Sequence, residues 1–346
     1  MKIKIGKNIL NELNSYLKDI GVKNLYIITD ENVNNLYEDY LYENVKEFDF
    51  TTYVLAPGER SKSIDTTFSI YDNLIENNID RNTLILSFGG GVVGDITGFV
   101  ASTFKRGINY IQIPTTLLAQ VDSSIGGKVG IDYGGLKNII GSFYFPNLII
   151  IDVIFLKTLS KRDIISGLGE ILKYGLIVDY NLFKFVSSNL SNIYRKDINI
   201  LLEIINQSVS IKKNIVNMDK YDKGLRRILN FGHTIGHGIE AYYNFTKFNH
   251  GETVILGMIY ESYIAKEKGL IDDIYFEEIN DVLKKLVMPI KFNIEEIERL
   301  IKIMRNDKKN FDGNIVFVLP IGEGKVEVFN DIDEKIIKKS LKGEWI

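Results

Sequence analysis

Residues Thr83 to Asp95 read TLILSFGGGVVGD, an apolar β-rich run that ends in glycines and opens into a helix expected over Ile96 to Phe104. Gly89, Gly91 and Gly94 meet the G-x-G-x-x-G spacing in a strand–turn–helix context. Glycines let the backbone approach a pyrophosphate, whose charge is favoured by the free N–H groups and positive dipole of a helix start. The plainer alternative is a tight turn that needs glycine only for positive φ. Working outward, Leu25 to Thr29, Ile108 to Ile113 and Leu148 to Val153 read as further strands, and MKIKIGKNIL at the N-terminus reads as a first one. Strands alternating with helical stretches predict a parallel sheet, and in such sheets ligands sit beyond the carboxyl ends of the strands. A standard dinucleotide motif is followed ~20 residues later by an acidic residue. Here that place holds only Ile113-Pro114-Thr115-Thr116, and the strand-end carboxylate comes earlier, at Asp30. If a dinucleotide binds, its ribose partner precedes the glycine turn.

After about Leu159 the β signal fades, and Arg162 to Val178 and Ile198 to Val216 carry apolar residues at helical spacing. At ~150 residues per domain, a 346-residue chain predicts two domains. The expectation is an α/β, Rossmann-like, parallel-rich domain over 1–160 and a mainly α-helical domain over 161–346. Forty-two basic against 45 acidic residues give a formal charge of −3, with 45% hydrophobic and 25% charged residues. That composition excludes disorder, collagen and coiled coil. No apolar run nears the ~18 residues of a membrane span, no signal-peptide pattern opens the chain, and no basic block offers a footprint for nucleic acid. Without cysteine there is no disulfide, thiolate nucleophile or sulfur-ligated metal. A cytoplasmic protein acting on a small molecule is expected.

All three histidines, His233, His237 and His250, fall in one short window. A helix through RRILNFGHTIGH would align Arg226, Asn230, His233 and His237 in one stripe of cation, amide and imidazoles, which is costly to bury unless it lines a site. Gly232, Gly236 and Gly238, each costing a helix about 1 kcal/mol against alanine, imply close approach by ligand or backbone. A lone histidine is more often structural, but this set reads as a site. Neutral imidazoles with a carboxylate form a zinc-type site with an open position. The carboxylate candidates are Glu170 in GLGEILKYG, with Lys173 on the same face, and Glu252 beside His250. A second cluster, Asp122-Ser-Ser-Ile-Gly-Gly-Lys128, would suit a phosphate, or else be a solvated loop with a salt bridge.

These residues resemble the 3-dehydroquinate synthase family nearly end to end. The matching segments are PGERSKS (57–63), GGGVVGD (89–95), FKRG (104–107), IPTTLLAQVDSSIGGKVGID (113–132), LKNIIGSFYFP (136–146), GLGEILKYGLI (167–177), LRRILNFGHTIGHGIE (225–240), NHGE (249–252) and DKKN (307–310). The resemblance implies a lyase of the shikimate pathway that takes 3-deoxy-D-arabino-heptulosonate 7-phosphate to 3-dehydroquinate. In that family bound NAD⁺ transiently oxidises a secondary alcohol, phosphate is eliminated, the ketone is reduced again, and an intramolecular aldol step closes the ring. It implies zinc or cobalt on Glu170, His233 and His250, with His237 off the metal for proton transfer or for orienting the hydroxyl being oxidised, and Glu252 not a ligand. Lys128, Asn138, Asn230 and one of Lys308 and Lys309 are implied partners of phosphate or neighbouring oxygens. Arg226 is the implied partner of the substrate carboxylate, and Lys173, Lys212 and Asp122 complete the polar shell. Asp30, Asn32, Glu59, Lys62, Gly90, Gly91, Val93, Asp95, Thr115, Thr116, Lys128, Lys137, Phe155 and Thr158 match cofactor positions. Arg106 matches a residue that reaches the neighbouring subunit's site, which implies a homodimer. One departure is Asp219-Lys220-Tyr221-Asp222 in place of the family's D-E-x-E run. Competing readings are a sister sugar phosphate cyclase, for which Arg226 would lack a carboxylate to pair with, and a glycerol-dehydrogenase-like alcohol dehydrogenase, which leaves Lys128 and Asn138 unexplained. A non-catalytic binding module accounts for neither the histidines nor the glycines.

Overall fold

The computed structural model describes residues 1–305 and 314–346. Its contacts divide the chain into two compact units, Met1–Ile164 with Ile193–Lys213, and Ile165–Asn192 with Asn214–Ile346. The first unit is built on β1 (Lys2–Gly6), α1 (Asn11–Asp19), β2 (Asn24–Asp30), α2 (Glu31–Val45), β3 (Asp49–Leu55), α3 (Ile64–Glu76), β4 (Leu84–Gly89), α4 (Gly91–Thr103), β5 (Tyr110–Pro114), β6 (Lys128–Tyr133), β7 (Leu136–Phe143) and β8 (Leu148–Asp152). Six strands form one sheet in the order β1-β8-β5-β4-β2-β3, every pairing parallel, and β6 and β7 form a separate antiparallel hairpin.

Helices cover both faces of the sheet, so its central strands are apolar throughout: every residue of β4, β5 and β8 is buried. Alternation along each strand then feeds two cores. Tyr26 and Ile28 pack with Val93, Ile96 and Val100 of α4 on one face, while Leu25 and Ile27 pack with Leu13 and Leu17 of α1 on the other. Helix α4 starts at Gly91, earlier than the Ile96 expected, so Gly91 and Gly94 lie in its first turn.

The remaining elements are α5 (Lys161–Ile177), α6 (Tyr180–Ser188), α7 (Leu190–Tyr194), α8 (Ile198–Met218), α9 (His233–Tyr242), α10 (His250–Glu267), α11 (Asp273–Lys284), α12 (Ile294–Arg305), the hairpin β9 (Phe317–Gly322) and β10 (Lys325–Phe329), and α13 (Glu334–Lys342). In the second unit α10 is apolar nearly all round, as a helix packed by α9, α11 and α13 must be. Among the described residues no helix is long and apolar enough to cross a membrane.

Candidate active site

In the first unit, strand order marks where a ligand would sit. The chain leaves β2 outward to β3 and leaves β4 the other way to β5, so the adjacent carboxyl ends of β2 and β4 are the switch point of the sheet. Thr29 pairs with Phe88, which sets Asp30 beside the Gly89 turn. A carboxylate that precedes the glycines in sequence thus neighbours them in space. Asp30 caps α2 through the N–H groups of Asn32 (2.9 Å) and Val33 (3.1 Å). Gly90 caps α4 with no side chain, which leaves the N–H groups of its first turn open to an anion. Thr115, the residue after β5, is buried, and its Oγ1 has no hydrogen-bond partner among the described residues, a hydroxyl that a bound group would satisfy. The open helix start, the strand-end carboxylate and this hydroxyl fit a dinucleotide.

The other matched positions of this unit lie as follows. Lys62 Nζ, almost fully buried, stands 2.5 Å from Asp95 Oδ2 and 3.9 Å from Glu59, which also faces Lys137 at 3.5 Å. Thr116 Oγ1 accepts from the Ala119 N–H, and Thr158 shares a 2.8 Å hydrogen bond with Tyr37. Val93 and Phe155 are core side chains, Phe155 edge-on to Tyr37, Tyr40 and Phe88. Lys212 Nζ holds Asp122 through its carboxylate (2.5 Å) and its carbonyl (2.7 Å), inside a single π turn at Ala119–Ser123. Lys128 is exposed at the start of β6. Asn138 takes a left-handed conformation, its N–H bound to Asp132 Oδ1 at 2.8 Å. Arg106 is exposed and follows Lys105 in a second consecutive left-handed residue.

In the second unit three helices bring the metal-type donors together. Glu170 on α5 is fully buried, and it is there because two glycines remove the bulk between α5 and the start of α10. A Cβ on Gly251 would come within 1.9 Å of the Ser166 carbonyl, and one on Gly169 within 2.5 Å of the Gly251 carbonyl. Glu170 Oε1 lies 3.4 Å from His233 Nε2 and 3.5 Å from His250 Nε2, and Lys173, one turn along α5, pairs with Oε2. The two imidazole separations stand at the upper limit of a hydrogen bond. They match the ~3.4 Å between neighbouring ligands of a tetrahedral ion with bonds of about 2.1 Å. His233 Nδ1 donates to the Phe231 carbonyl at 3.1 Å, which leaves Nε2 with its lone pair toward Glu170. Burial, reinforced by Lys173, pushes the His233 pKa down to about 3, so this imidazole is neutral and ready to ligate. His250 is held the other way: burial works against its proton, but Glu170 and Glu240 outweigh it and push its pKa up to about 10 in the metal-free protein. Glu170 stays ionised well below the usual carboxylate range, because Lys173 and both imidazoles overcome its burial. An anionic carboxylate, one neutral imidazole and one that exchanges a proton for an ion fit a divalent metal.

His237 stands one turn beyond His233 on α9, with ring centroids 5.2 Å from His233 and 5.8 Å from His250. The continuous helical stripe from Arg226 to His237 is not what forms. Leu225–Asn230 is a 3₁₀ turn, and Gly232 adopts φ +77° before α9 begins at His233. A side chain at Gly232 would meet Met258 and the Val254 carbonyl, and a fully buried carboxyl, Glu261 of α10, takes the Gly232 (2.6 Å) and Ile235 (3.0 Å) N–H groups at the new helix start. Arg226 is nonetheless buried, its guanidinium donating to the Lys220 carbonyl at 3.1 Å, while Asn230 is half-buried. Asp219, the first residue of the departing run, organises this loop by accepting from the N–H groups of Lys223, Gly224 and Arg226. Glu252 is spent on a capping box with Asn249 at the start of α10. Lys308 and Lys309 lie outside the described residues.

Two buried carboxyls of the second unit, Glu240 and Glu261, were not singled out from the sequence. Glu240 continues the spacing of His233 and His237 by three more residues, a signal that was there to extend. Glu261 carried none, because its partners are 26 and 29 residues away.

Family models described as 3-dehydroquinate synthase N-terminal and 3-dehydroquinate synthase C-terminal match residues 52–166 and 167–310. The chain is 44% identical over 325 residues to a 3-dehydroquinate synthase of Alkaliphilus metalliredigens strain QYMF, covering 94% of this chain and 91% of that one. Among solved structures, the 2-epi-5-epi-valiolone synthase of Streptomyces hygroscopicus subsp. jinggangensis 5008, with NAD⁺ and Zn²⁺ bound, superposes with a TM-score of 0.90 at 27% identity, over 98% of this chain and 95% of that one. A 2-deoxy-scyllo-inosose synthase complexed with carbaglucose-6-phosphate, NAD⁺ and Co²⁺ gives 0.88 at 26% identity, over 98% and 96%. The architecture is therefore that of the sugar phosphate cyclases. Within that class, the chain belongs to the 3-dehydroquinate synthase family.

Proposed function

We propose that the chain converts 3-deoxy-D-arabino-heptulosonate 7-phosphate to 3-dehydroquinate and phosphate, as a cytoplasmic carbon–oxygen lyase of aromatic amino acid biosynthesis. The observation that carries this reading is the group of buried Glu170 and His233 with half-buried His250 at ligand spacing in a chain of this family. When bound, NAD⁺ supplies a hydride acceptor restored within each turnover, and Zn²⁺ or Co²⁺ on Glu170, His233 and His250 supplies Lewis acidity at the substrate hydroxyls. His237, off the ligand set, takes up the proton of the hydroxyl being oxidised. Oxidation to a ketone acidifies the adjacent C–H, whose proton passes to the phosphate as it leaves with its bonding electrons; the ketone is reduced again, the ring opens, and an internal aldol addition forms the new carbon–carbon bond. Lys173 keeps Glu170 ionised, and the Arg226 fork pairs with the substrate carboxylate. The likeness to valiolone and inosose synthases sustains a second reading, a sister cyclase, whose substrate would leave Arg226 without a carboxylate.

The deciding assay follows phosphate release and NADH absorbance together, with metal-loaded protein and catalytic NAD⁺. Phosphate with a cyclised product and no accumulating NADH supports the cyclase. Steady NADH without phosphate makes the protein a dehydrogenase, and silence on the heptulosonate with turnover of another phosphate sugar favours the sister cyclase. We further assign a homodimer in which exposed Arg106 serves the neighbouring site. Light scattering at assay concentration reads its mass, and activity recovered on mixing inactive R106A and H237A proteins tests the sharing.

A further inference from the structure

A second group of donors shares His250. His237, Glu240 and His250 place one donor atom each within 4.8 Å of the others, as Glu170, His233 and His250 do. The two groups use opposite nitrogens of one ring: Nε2 lies 3.5 Å from Glu170 Oε1, and Nδ1 lies 3.4 Å from Glu240 Oε1. A neutral imidazole has one lone pair to give, so both groups can hold cations together only if His250 loses both protons. The other ligand histidine shows the arrangement a single centre needs: His233 commits Nδ1–H to a carbonyl and turns Nε2 inward. Near His250 Nδ1 the corresponding acceptor is Glu240, itself buried on the face of α9 that carries His233 and His237.

We infer that Glu240 is a positioning residue that holds the proton on His250 Nδ1 and fixes the ring so that Nε2 faces Glu170 and His233, and that the His237–Glu240–His250 group is not a second metal centre. This rests on the metal reading of Glu170, His233 and His250. Orienting carboxylates of this kind raise the basicity of the ligating nitrogen, and their loss costs about 10–100-fold in metal affinity.

The test titrates metal-free protein with Co²⁺, reading stoichiometry, affinity by chelator competition, and the visible d–d bands, for wild type, E240A, E240Q and E170A. Expected are one Co²⁺ per wild-type chain, a 10–100-fold weaker affinity with displaced bands for E240A, and wild-type bands with intermediate affinity for E240Q, whose amide oxygen still accepts from Nδ1–H. The melting temperature of each metal-free variant reports its folding, and E240Q carries the comparison if E240A does not fold. Wild-type affinity and bands in both Glu240 variants would overturn the inference. Two Co²⁺ per wild-type chain, the second lost in both Glu240 variants, would make Glu240 a ligand. A wild type that binds no Co²⁺, or an E170A that binds it undiminished, would instead remove the metal reading itself.

Discussion

His237 shares a helix face with a proposed ligand, yet its ring lies beside the group that Glu170 gathers, and the chemistry proposed for it is proton transfer. H237A is therefore expected to keep its metal content by elemental analysis while kcat falls ~10²-fold or more, the usual loss for a general acid–base group. Metal content that fell in step with activity would put His237 among the ligands. Arg226 is buried with its guanidinium already anchored to the Lys220 carbonyl, so its fork is held in one orientation. R226K keeps the charge but not the planar pair of donors. It should raise KM for the heptulosonate phosphate by tenfold or more while leaving NAD⁺ affinity within about twofold; titration of NAD⁺ by fluorescence separates the two, and equal losses would contradict the carboxylate assignment.

At the scale of elements, the position of α9 depends on a residue of α10. Glu261 satisfies two buried N–H groups at the start of α9, and each such group left without a partner costs about 1–3 kcal/mol. E261A should thus lose about 2–6 kcal/mol in chemical denaturation, with E261Q recovering part of it through its one remaining acceptor. A loss below 0.5 kcal/mol would mean that packing alone sets the helix. The Arg226 loop has a pH-dependent device of its own. Three backbone N–H groups on Asp219 lower its pKa to about 2. A depressed carboxylate stabilises the folded loop above the ordinary carboxylate range near 4 and loses that contribution as pH falls toward 2. Amide protection factors at Lys223, Gly224 and Arg226 should fall between those values in wild type, with D219N already unprotected at neutral pH; identical protection in both proteins would remove Asp219 from the account.

For the molecule as a whole, a metal that binds only the folded chain adds about 2.7 kcal/mol at a hundredfold excess over its Kd. Chelation should abolish turnover and lower the melting temperature by several degrees, with Zn²⁺ or Co²⁺ restoring both. Activity lost without any change in melting temperature would place the metal's role outside Glu170, His233 and His250.

Local pattern determined much of this protein. The apolar runs at β2, β4, β5 and β8, the helical spacing of α5 and α8, and the glycine turn of TLILSFGGGVVGD each depend on neighbours a few residues apart, where periodicity and propensity act. The clustering of three histidines, and the family motifs that single out Glu170, were equally legible in the chain. Tertiary structure alone decided the rest, because it turned on which distant backbones meet. Strand order put Asp30 beside a turn some sixty residues later. The close approach of Gly169 and Gly251 buried Glu170 against two imidazoles. Glu261 broke the expected helical stripe at Gly232 by giving α9 a new start, and Glu240 found His250 Nδ1 across a gap between helices. A buried carboxyl takes whatever donor the packing brings to it, and no spacing along the chain announces which donor that is.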